Sequence, residues 1–129
     1  MMQKLKIGIV GAGNIACSAH LPAYNECENT YVEAIADIDY ERAKSAAEKF
    51  NIPNFYPSVE KMLEEADIDA VDICTWNNAH APVCIAAAKA GKHVLCEKPM
   101  AMNLSDALEM EKAVKASGVI FMLAVPGRF

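Results

Sequence analysis

A doubly wound parallel α/β sheet of about six strands is the fold this sequence predicts, and three observations predict it. Short apolar runs alternate with stretches of helical periodicity along the whole chain. The apolar runs are continuous rather than alternating in polarity, which suits strands covered on both faces. Glycine, proline and capping residues stand at nearly every change of pattern.

The elements follow in order. Lys6–Val10 is an apolar run ending in glycine and reads as the first strand. Residues 14 to about 25 read as a helix that Pro22 should end or kink. Tyr31–Asp37 is the second strand. Asp39 can cap a helix over Tyr40–Phe50, with Ala43, Ala46, Ala47 and Phe50 on one face. Asn54–Tyr56 is a short third strand, and Ser58 caps a helix over Val59–Glu65. Ala70–Thr75 is the fourth strand. An Ala-rich helix spans Ala79–Ala90, and Gly91 supplies its left-handed stop. His93–Cys96 is the fifth strand, Ser105–Ser117 a helix ended by Gly118, and Val119–Ala124 the sixth strand. Right-handed crossovers then give the order 3-2-1-4-5-6, with a ligand at the carboxyl ends of strands one and four. No internal linker is evident, so residues 1–129 read as one domain.

Composition narrows the function classes. Hydrophobic residues make up 53% of the 129, enough to build a core at this length. Net charge is −5 with no block of lysine or arginine, which argues against nucleic acid as a partner. No apolar run reaches the ~20 residues of a membrane span. The basic start, Met1–Lys6, lacks the apolar stretch and cleavage site of a signal peptide, so the chain reads as cytoplasmic. Five cysteines, odd in number and without C-x-x-C spacing, read as buried free thiols in a reducing compartment. No clustered Cys/His pattern suggests a metal site.

Gly11-Ala12-Gly13-Asn14-Ile15-Ala16 follows the first strand and opens the first helix. Gly11 permits the tight turn, Gly13 lets backbone approach a pyrophosphate, and Ala16 allows close packing of helix on strand. The helix N-terminus offers N–H groups and a positive dipole end to the phosphates. Asp37 ends the second strand at the spacing of the acid that takes the adenosine ribose hydroxyls. This is the fingerprint of a Rossmann dinucleotide-binding domain. A carboxylate at Asp37 repels a 2′-phosphate, and Arg42, the nearest cation, lies a turn into the next helix, so NAD is expected over NADP. A methyltransferase using S-adenosylmethionine has a similar glycine loop and acid, and the first half of the chain leaves that reading open.

The second half carries Cys96-Glu97-Lys98-Pro99 at a strand end. There the Lys98 ammonium is expected in the ligand crevice, buried, with its direction set by the proline that follows. With the Gly11–Ala16 loop, Ala36-Asp37-Ile38-Asp39, Thr75-Trp76-Asn77-Asn78-Ala79-His80, Ala87–Val94 and Arg128-Phe129, the chain resembles the glucose–fructose oxidoreductase / inositol dehydrogenase / MocA family along essentially its whole length.

The resemblance implies oxidation or reduction of a sugar, polyol or related alcohol with NAD(P). It implies that Lys98 is the catalytic residue, touching the reacting hydroxyl and either hydrogen-bonding the alkoxide or shuttling the proton. It implies cofactor contacts from Gly11, Gly13, Asn14, Ile15, Asp37 and Thr75, and from Glu97 and Lys98 at the nicotinamide end. Asn77 and His80 would line the cofactor beyond strand four, His80 otherwise capping or packing its helix. Arg128 would stand at the boundary of cofactor and substrate. His20 and His93 read as structural. Two positions depart from the family pattern: Trp76 replaces its usual proline, and Val125-Pro126-Gly127 is less typical.

In the resembled family a second α/β domain follows the terminal Arg-Phe and supplies the substrate pocket. The chain is therefore expected to be the cofactor domain alone, catalytically incomplete, and inclined to self-associate through the surface left bare. The other reading is a stand-alone NAD-binding or sensing module.

Overall fold

In a computed structural model, which describes residues 3–125, a six-stranded parallel sheet in the order β3-β2-β1-β4-β5-β6 runs through the molecule. The strands are β1 (Leu5–Val10), β2 (Thr30–Ala36), β3 (Asn54–Tyr56), β4 (Ala70–Ile73), β5 (His93–Glu97) and β6 (Phe121–Ala124). The helices are α1 (Leu21–Glu26), α2 (Tyr40–Phe50), α3 (Val59–Glu65), α4 (His80–Lys89) and α5 (Leu104–Ser117). The predicted order is the observed one.

The strands alternate their buried side chains between two hydrophobic clusters, as period-two geometry requires. Ile7, Ile9 and Ile35 pack with Leu21 of α1 and Ala46 and Ala47 of α2. Ala34, Ala36, Val71 and Ile73 pack with Met62 of α3, Cys84 and Ala87 of α4, and Met110 of α5. Small residues on α2 and α4 bring backbone close to the sheet. At Gly8 large side chains take the space instead: an added Cβ would lie 2.7 Å from Ile68 Cδ1 and 2.9 Å from Met62 Cε.

The caps match the sequence. Asp39 and Ser58 accept the backbone N–H groups of Arg42 and Lys61. Gly91 and Gly118 have φ of 77° and 70°, the left-handed conformation that closes a helix with little cost for glycine. Asn103, a cap the sequence reading did not name, caps α5, accepting the Asp106 N–H at 2.8 Å.

The first helix differs from expectation. Pro22 does not end it: the chain is helical from residue 14 to 26, with a π-helical turn at Ala16–His20 leading into α1. Leu21 N–H bonds Ala16 O, five residues back, and Pro22 then falls in the first turn of the α segment, where its missing donor costs little.

Of the cysteines, Cys74, Cys84 and Cys96 are buried free thiols, Cys17 is half-buried and Cys27 is on the surface. Apolar side chains stand exposed on α5 (Leu104, Leu108) and around the edge strand β6 (Ile120, Met122).

Candidate functional site

The sheet reverses direction of winding at β1, which has β2 on one side and β4 on the other. At the carboxyl ends of those strands the connecting loops leave in opposite directions and open a crevice. A cleft of about 540 Å³ lies there, lined by Gly11, Gly13, Asn14, Asp37, Thr75 and Asn77 among others. Six of the residues predicted from sequence to hold a dinucleotide are thus brought to one cavity.

The two loop glycines have different physical duties. Gly11 has φ of +100°, and a Cβ there would sit 2.6 Å from the carbonyl oxygen of Cys74, so the crossing of the β1 and β4 loops demands glycine. A Cβ on Gly13 would meet only Arg42 Nη2, at 3.1 Å, and would otherwise project into open space. Gly13 keeps the cleft clear. Behind it begins the helical stretch 14–26, whose first amides have no earlier carbonyl to bond.

Asp37 closes the cleft opposite. Its Oδ2 accepts the Ala12 N–H at 2.7 Å and its Oδ1 the Asp39 N–H at 2.8 Å. Each oxygen retains a lone pair, so the carboxylate is fixed in direction yet still able to accept from two hydroxyls. A bare backbone cradle facing a fixed carboxylate fits the pyrophosphate and ribose of a dinucleotide.

Sequence reading missed several lining residues. Arg42 reaches back over Gly13 and brings a cation to the cleft, although it lies in α2. Ile38, Ser58, Val59 and Trp76 also line it, and Trp76 is exposed at the rim. The β2–α2 turn carries Ile38 there, the β3–α3 junction Ser58 and Val59, and the loop after β4 Trp76.

Four predicted residues are placed elsewhere. Ile15 is partly exposed and not among the lining residues. His80 is wholly buried, with Nδ1 2.7 Å from Pro99 O and Nε2 3.2 Å from Thr75 O. Its ring ties the start of α4 to the loops after β4 and β5, which is the packing alternative rather than a place against a cofactor. Lys98 is exposed, not buried, and its peptide bond to Pro99 is cis. Glu97 turns inward, onto His20. Arg128 lies outside the described residues, as do Pro126 and Gly127.

His20 stands in a polar network beneath the same sheet edge. Its Nδ1 is 2.6 Å from Asp72 Oδ2 and its Nε2 2.7 Å from Glu97 Oε1. Tyr24 donates to the same Asp72 oxygen at 2.9 Å, and the Cys74 thiol donates to the other at 3.6 Å. The hydrogen bond to Asp72 first, then the charges of Asp72 and Glu97, push the His20 pKa up to about 9 against the opposing effect of burial. The fold also gathers ligand-type atoms that no spacing revealed: those of His20, Asp72 and Cys74 lie within 4.8 Å of one another. The contacts just described already join all three, and burial together with Asp72 holds Cys74 in its thiol form.

Comparison with known proteins extends this geometry. Residues 5–125 match the family described as an oxidoreductase family with an NAD-binding Rossmann fold. Myo-inositol 2-dehydrogenase of Thermotoga maritima is 33% identical over 125 residues, covering 97% of this chain and 37% of that protein. The WlbA dehydrogenase of Bordetella pertussis, solved in complex with NADH and UDP-GlcNAcA, matches with a TM-score of 0.90 at 29% identity, over 95% of this chain and 37% of that one. A 3-ketoreductase of Actinomadura kijaniata, solved with TDP-benzene and NADP, matches with a TM-score of 0.87 at 31% identity, over 94% and 38%. The chain spans little more than a third of the length of these relatives.

Proposed function

This chain belongs to the Gfo/Idh/MocA oxidoreductase family, and from that premise we propose that it is the cofactor domain of an NAD-dependent dehydrogenase acting on a sugar, polyol or related alcohol. The observation that carries the proposal is the cleft itself: glycine backbone on one wall, a fixed carboxylate on the other, at the switch point of the sheet. NAD, when bound, supplies the hydride acceptor; the rest of the work falls to the chain.

Gly13 and the amides that open the helical stretch take the pyrophosphate. Asp37 accepts from the adenosine ribose hydroxyls, and its negative charge, set against the Arg42 cation that also reaches the cleft, favours NAD over NADP. Asn77 and Thr75 line the path from β4 toward the reacting end. In this reading Lys98, exposed just after β5, hydrogen-bonds the substrate hydroxyl and holds its proton or its alkoxide. Relatives whose names specify inositol and whose structures hold a nucleotide sugar support the substrate class.

The test is a thermal-shift panel of NADH, NADPH and S-adenosylmethionine. NADH at ~100 times its dissociation constant should add about 2.7 kcal/mol of stability. NADPH should add less at equal concentration, and Asp37→Ala should narrow that difference. Stabilisation by S-adenosylmethionine alone would refute the reading.

A further inference from the structure

Asp72, His20 and Glu97 form a chain of contacts that the proposed reaction does not yet use. Asp72 is buried in β4 with 1% of its side chain exposed, and Glu97 ends β5, directly before Lys98, with 13% exposed. Between them lies His20, the last residue of the π-helical turn, its side chain 11% exposed. An ionised carboxylate only accepts hydrogen bonds, and here one faces each ring nitrogen. Only an imidazolium donates at both. The second Glu97 oxygen, Oε2, accepts the backbone N–H of Lys98 at 3.2 Å. Glu97 is therefore held at both ends, by His20 on one side and by the Lys98 amide on the other.

Resting on the assignment of Glu97 and Lys98 to the nicotinamide end, we propose that His20 is a positioning residue: a protonated clamp, anchored on Asp72, that sets the Glu97 carboxylate and with it the Glu97–Lys98 backbone. The π-helical turn fits this role. A five-residue hydrogen-bond step re-aims the side chain at its end, and such turns recur at functional sites. The groups that face the ring or its partners are Asp72 from β4, Cys74 just beyond it, Glu97 from β5 and Tyr24 from α1. Among the described residues no lysine or arginine pairs with Asp72 or Glu97, so the imidazolium supplies the positive charge of the cluster.

A clamp that works by its charge fails when it loses its proton. Neutral His20 can donate to only one of its two carboxylates, and the other loses its donor and turns away. NADH affinity should then hold level through neutral pH and decline as pH passes about 9.

The experiment is fluorescence titration of the full chain with NADH from pH 6.5 to 9.5, for wild type, His20→Gln and Asp72→Asn, beside ¹⁵N NMR of the histidine rings. Wild type should show the decline, and its His20 ring should titrate near 9. His20→Gln should bind about tenfold more weakly at pH 7, the loss expected from one charge-assisted hydrogen bond, and show no step. Asp72→Asn, which keeps the shape and removes a charge, should move the step to lower pH and serves if His20→Gln does not fold. Wild-type binding matched within twofold by folded His20→Gln at every pH overturns the clamp alone, as does a His20 ring titrating near its ordinary value. Absence of NADH binding by wild type, with folding intact, overturns the dehydrogenase reading as well.

Discussion

Gly11 and Gly13 lie two residues apart in one motif, yet substitution should separate folding from binding. Gly11→Ala forces a side chain into a left-handed φ and against the Cys74 carbonyl. Backbone strain of that kind costs on the order of 1–3 kcal/mol, and the contact adds to it. Gly13→Val places its side chain in the cleft with only the end of Arg42 to displace. Chemical unfolding and NADH titration should show Gly11→Ala losing stability, and Gly13→Val keeping stability while losing affinity. The histidines make a similar contrast. His80, in the stretch that carries the family resemblance, is a buried tie between loops, whereas His20, which reads as structural, bridges to the residue before Lys98. Sequence spacing does not reveal these contacts, because three of the four ring partners lie 19 to 77 positions away.

At the scale of elements, local rules govern the helix ends. Asp39, Ser58 and Asn103 each take an orphan amide of the first helical turn. Asn103→Ala should lower stability by about 1 kcal/mol, because α5 loses its only side-chain cap, and NADH affinity should be unaffected. A fall in affinity equal to the loss of stability would show that α5 is coupled to the cleft. The residues of α2, β3 and α3 stand where the periodicity put them. The first helix departs from the proline rule because the rule concerns the α-helical ladder, and a π-helical turn ahead of Pro22 removes the conflict.

For the whole molecule, the His20 bridge ties the first helix to β4 and β5, so its charge enters global stability. The His20 pKa rises on folding from 6.5 to about 9. Its contribution is therefore complete below pH 6.5 and fades as pH climbs to about 9. The buried thiols act in a later window. Burial pushes Cys84 up to about 11 and Cys96 up to about 12, from 9.0. Unfolded thiols ionise above 9 while the folded ones do not, which lowers stability further. Denaturant midpoints at intervals from pH 6 to 10 should fall in wild type across both windows. In His20→Gln they should stay level up to pH 9 and fall only beyond it. A wild-type midpoint that does not change between pH 6.5 and 9 would contradict the bridge.

What the sequence by itself determined is whatever depends on neighbours along the chain: strand and helix order, caps, the glycine turn with its acid, and hence the sheet and the crevice for a dinucleotide. Periodicity and capping are local, and crossover handedness converts them into topology. The tertiary structure alone decided which side chains meet across strands. It turned Arg42 back over the glycine loop, buried His80, exposed Lys98, and set His20 between two carboxylates from separate strands. Those outcomes follow from sheet register and helix rotation, which many distant residues fix together and no short motif records.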